Sequence, residues 1–71
     1  MMPSTRDELL RLLAELSAEA PDLRFGQLVA NVATLAHGAK VEAIWDAEDH
    51  ELVVAAQRLL ERYAERKAGM T

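Results

Sequence analysis

Two stretches of this chain repeat apolar residues at steps of three and four. Leu9, Leu12, Leu13, Leu16 and Ala20 form one run, and Leu52, Val53, Ala56, Leu59, Leu60 and Tyr63 form the other. At 3.6 residues per turn each run falls on one side of an α-helix, so each makes an apolar stripe that must be buried against something. Phe25, Leu28, Val29, Val32 and Leu35 supply a third stripe between them. The pattern predicts an all-α fold, a compact three-helix bundle with helices over about 5–20, 23–37 and 47–67.

The residues between the stripes give the helix boundaries. Thr5-Arg6-Asp7-Glu8 predicts a capping box at a helix starting at Ser4 or Thr5. In it the Thr5 hydroxyl accepts from the Glu8 amide and the Glu8 carboxylate reaches back. Asp7, Glu8, Arg11, Glu15 and Glu19 take the wet side of that helix. Pro21 ends it, and Asp22 is placed to cap the next. Gly38 stands just past the end of the second helix, where a left-handed backbone favours glycine. A loop, AKVEAIWDAED, leads to the third helix, for which Asp46 is the expected cap and Glu48 and Asp49 face the positive end of the dipole. Arg58, Glu61, Arg62, Glu65 and Arg66 form its exposed side, with the pairs Arg58/Glu61 and Arg62/Glu65 expected. Without repeats or a linker, residues 1–71 read as a single helical domain with short frayed termini, the tail AGMT included.

A core built from 71 residues is close to the smallest that offsets conformational entropy. The chain has three aromatic side chains, Phe25, Trp45 and Tyr63, and no cysteine, so neither a disulfide nor a thiolate metal site staples it. A second copy or a protein partner would supply the missing burial. The net charge of −4 disfavours phosphate backbones, which makes nucleic acid an unfavourable ligand. The start, MMPSTRDELL, lacks a basic segment followed by an apolar one, and no apolar run is long enough to span a bilayer; the expected location is the cytoplasm, off the membrane.

On a helical wheel the second helix divides into three arcs. Large apolar residues fill one, and Gly26, Ala30 and Ala33, ending in His37, fill a second. Arg24, Gln27, Asn31 and Thr34 fill the third. A glycine inside a helix costs about 0.5–1 kcal/mol relative to alanine, so Gly26 is expected under a close contact from Trp45 or another helix. The polar arc has two readings. As structure, Arg24, Gln27 and Asn31 anchor the loop around Asp46, Glu48 and Asp49; as function, they form a stripe that docks a partner. The first is the expected arrangement, since side chain to backbone bonds are common.

Catalytic and metal chemistry find little support. The run WDAEDHE, Trp45 to Glu51, holds Asp, Glu and His, but it has neither the spacing of a calcium loop nor a glycine at its turn. Capping explains Asp46 and Asp49 better. His50 and Glu51 point about 100° apart on a helix and do not converge on one atom. His37 suits a helix C-terminus. Neither Ser4 nor Ser17 has a base nearby in sequence. No catalytic residue, metal ligand or cofactor site is assigned. Acyl carrier proteins carry a modified serine in Asp-Ser-Leu; the corresponding position here reads Asp22-Leu23-Arg24, without the serine.

The stretch P-D-L-R-F-G-Q-L, Pro21 to Leu28, followed by Asn31 and by W-D-A-E-D-H-E-L, Trp45 to Leu52, resembles a loose group of short, uncharacterised bacterial and phage-encoded proteins. The likeness spans the second helix and the start of the third and implies no activity. It implies that Arg24, Gly26, Gln27, Asn31, Trp45 and Asp49 form one constellation. The expected function is that of a helical protein–protein interaction module, a self-associating subunit or a regulator covering a partner. A nucleic-acid-linked regulator using Arg58, Arg62, Arg66 and Lys67 is the alternative, and a metal-dependent enzyme centred on Asp46 to His50 is the weaker one.

Overall fold

Residues 4–69 are described by the computed structural model, and they form four helices: α1 (Thr5–Glu19), α2 (Phe25–His37), α3 (Ala43–Asp46) and α4 (Asp49–Gly69). Helix α1 is capped by Ser4, whose hydroxyl accepts from the Asp7 N–H at 3.1 Å. Thr5 is already helical, so the expected capping box does not form, and the Glu8 carboxylate accepts instead from Gln57 of α4 at 3.4 Å. After Ala20 the Leu23 N–H bonds to the Ala20 carbonyl and closes the turn through Pro21 and Asp22.

Helix α2 begins two residues later than expected. Arg24, not Asp22, is its cap, and the Gln27 side chain reaches back to accept from the Arg24 N–H at 3.1 Å. Arginine carries no acceptor, so only this half of a capping box exists. Helix α4 starts by the same device: Glu51 accepts from the Glu48 N–H at 3.0 Å. Asp46 therefore does not cap it. That residue closes α3, a single helical turn inside the segment expected as loop. Gly38 ends α2 at φ +106°, ψ 166°, a conformation nearly confined to glycine. Helix α4 runs to Gly69, beyond the expected end near residue 67. The frayed ends expected at both termini otherwise lie outside the described residues.

The core joins Leu9, Leu12 and Leu16 of α1, Leu28 and Val32 of α2, and Val53, Ala55 and Ala56 of α4. Helix α4, last in the chain, packs on both α1 and α2, which touch one another much less, while α3 lies on α2 alone. The molecule measures 38 × 35 × 17 Å, so the three long helices spread into a slab instead of closing around a common axis. All-helical architecture holds; where a compact three-helix bundle was expected there are four helices, α1 and α2 both on α4 and α3 on α2. The physical reason is length. At 1.5 Å per residue, the 21 residues of α4 extend about 31 Å, enough to carry both shorter helices side by side.

One consequence is surface. The molecule exposes 5226 Å², against about 4,400 Å² for a compact monomer of 7.9 kDa. Large apolar side chains contribute to that surface: Leu10, Phe25, Val41, Ile44, Trp45 and Val54 are all exposed.

Candidate functional site

Helix α2 is the organising element, and its three arcs meet three different surroundings. The large apolar arc enters the core through Leu28 and Val32. Ala33 of α2 and Ala43 of α3 are each 1 % exposed, and α3 packs on α2. Arg24, Gln27, Asn31 and Thr34 all face solvent.

This corrects the expected anchoring of the loop. A methyl group at Gly26 would meet nothing within 4 Å, and Trp45 is 66 % exposed. On the small arc the buried residue is Ala33, two turns further along. Gln27 is spent on the Arg24 N–H, and among the described residues neither Arg24 nor Asn31 makes a side-chain bond to the segment around Asp46. That segment needs no anchors, because it satisfies itself. The Ala43 N–H bonds to Lys40, those of Trp45 and Asp46 bond to Glu42, and that of Ala47 bonds to Ala43. The polar arc is thus exposed and not engaged with the loop.

The acidic run disperses in the same way. Asp49 accepts from Arg6 of α1 at 2.8 Å, Glu51 meets His37 Nδ1 at 3.2 Å, and His50 faces Glu48 at 3.4 Å. Among the described residues no three Asp, Glu or His side chains converge on one point, and no polar or charged side chain is buried. The Glu48 N–H, and after it the His37 ring, hold the Glu51 carboxyl below the ordinary glutamate value.

What the fold does assemble is a furrow between α2 and α4. Because the two helices run antiparallel, Asn31, Thr34 and Leu35 face Leu59 and Arg62 across an open hollow of about 400 Å³. Leu35 also borders the adjoining hollow, where Val54, Arg58, His50 and Glu51 line the wall. The neutral arc of α2 and the basic row of α4 therefore share one surface. The expected pairs Arg58/Glu61 and Arg62/Glu65 are absent among the described residues, and Arg66 lies 5.8 Å over the Tyr63 ring. Arg66 belongs to a different hollow, at the α1–α2 turn, where Lys67 is paired with Glu19.

Both rows are visible in the sequence, the polar arc at steps of three and four and the basic row at steps of four, but their meeting is not, since it depends on how α2 lies along α4. Compared with protein-family models, with curated proteins and with solved structures, the chain matches none of them. Among the described residues no helix is long and apolar enough to cross a membrane.

Proposed function

We propose that this protein is a helical interaction module that associates with a second copy of itself through the apolar ridge at α3. The observation that carries this reading is the exposure of Val41, Ile44 and Trp45, at 72 %, 50 % and 66 %, within one short segment. Large apolar side chains clustered on a surface gain about 25 cal/mol for each Å² removed from water, and such clusters mark contact sites. The neighbouring helix supports the same reading. From Gly26 to Ala39 the sequence holds no formal charge when His37 is neutral, so a second chain can approach there without stripping water from an ion. A regulator that covers a different protein would use the same ridge, and in either form the module works in the cytoplasm without catalysis or cofactor.

The test is molar mass by light scattering across the micromolar range. The mass should rise above the 7.9 kDa of one chain, and Trp45→Ser should return it to that value. Because Trp45 is exposed, this substitution leaves the core intact. A monomer mass at every concentration, with unfolding that does not depend on concentration, would overturn the reading.

A further inference from the structure

We infer that the α2–α4 furrow is a docking site for an acidic amphipathic helix of a partner protein. Its composition carries the inference. Leu35, Leu59 and Val54 give it an apolar floor, and Arg58 and Arg62 stand on one wall without a carboxylate partner among the described residues. Asn31 and Thr34 on the other wall offer hydrogen bonds and no charge. Two arginines four residues apart sit about 6 Å apart along the axis, the spacing of carboxylates one turn apart on a facing helix. A helix in an apolar groove anchored at such steps is a recurrent mode of recognition.

Four of the chain's twelve acidic residues are already engaged elsewhere. On α1, Glu15 is held by Arg11 at 2.8 Å, Glu19 by Lys67, and Glu8 accepts from Gln57. Glu51, at the end of the furrow, is already engaged by His37 and the Glu48 N–H. A nucleic-acid strand fits worse, because the chain carries a net charge of −4 and the floor of the furrow is apolar. The site is separate from the α3 ridge, since α3 packs on α2 and not on α4.

Isotope-labelled protein titrated with a synthetic helical peptide tests this directly. One peptide carries leucines on one face flanked by glutamates a turn apart, a second has lysines in their place, and a short DNA duplex is the third probe. The glutamate peptide should give saturable amide shifts centred on Asn31, Thr34, Leu35 and Leu59, and the lysine peptide should not. Arg58→Glu with Arg62→Glu should weaken binding about tenfold or more and confer binding of the lysine peptide, whereas Arg11→Glu should change neither. Should the double reversal not fold, Arg58→Gln with Arg62→Gln should still weaken the glutamate peptide severalfold. Absence of saturable shifts, an affinity indifferent to the two arginines, or tighter binding of the duplex at the same amides would each overturn the inference. Light scattering on the same double variant reads the α3 ridge independently, so failure of one surface is distinguishable from failure of the other.

Discussion

Gly26 and Gly38 have equally open surroundings, since a methyl group at either meets nothing within 4 Å. They differ in backbone. Gly26 lies in the first turn of α2 with ordinary helical dihedrals, whereas Gly38 needs φ +106°. Gly26→Ala should therefore stabilise the protein by about 0.5–1 kcal/mol, through lower unfolded-state entropy and better helix propensity. Gly38→Ala should destabilise it by about 1–3 kcal/mol, a cost that is conformational because no clash contributes. Urea midpoints of the two variants check both signs, and a destabilised Gly26→Ala protein would contradict the open setting of that residue.

At the level of the elements, α2 and α4 start by one device, a side chain three residues into the helix that satisfies the N–H of the residue before it. Gln27→Ala should remove that bond from α2 and cost about 0.5–1 kcal/mol, read from thermal or urea unfolding. Glu51 on α4 adds a pH dependence. Its carboxyl titrates below the ordinary 4.5 in the folded chain, held there by the Glu48 N–H and then by His37. A depressed folded value means that the contribution is present above about pH 4.5 and disappears as pH falls through the folded value. The stability difference between the natural chain and Glu51→Gln should accordingly shrink below that pH, and a difference that stays constant down to pH 2, roughly two units lower, would remove Glu51 from the account. In α1, Leu16 has no exposure at all, so Leu16→Ala should cost about 2–5 kcal/mol, far more than Leu10→Ala at a position 57 % exposed.

For the molecule as a whole, the slab depends on α4. Helices α1 and α2 follow each other in the chain yet share little contact, and the core that joins them runs through Val53, Ala55 and Ala56. A fragment ending at Glu48 should consequently lack a cooperative fold, with weak helical circular dichroism, because isolated helices of 15 and 13 residues are marginal in water. Adding back α4 as a peptide should restore helicity beyond the sum of the parts. The same openness leaves α2 flanked by α4 and α3 with its polar arc free, and it puts both proposed contact surfaces on either side of one helix.

Helix content was legible in the residues because period and punctuation are local. Steps of three and four, a proline, and a glycine past a helix end act within a turn or two whatever the rest of the chain does. The three arcs of α2 could be read for the same reason, and they differ in burial in the structure. Burial of those arcs could not be read, since it is a property of the partner element. Which helix joins the others was equally illegible, and it is the long α4 that packs on α1 and α2 alike. Gly26 pointed to a close approach, yet its own surroundings are open, and the buried residue of its arc is Ala33. Asn31, Thr34, Arg58 and Arg62 were each visible as members of a row. Their meeting in one furrow required the antiparallel packing of α2 on α4, a contact between residues about thirty apart that no local spacing encodes.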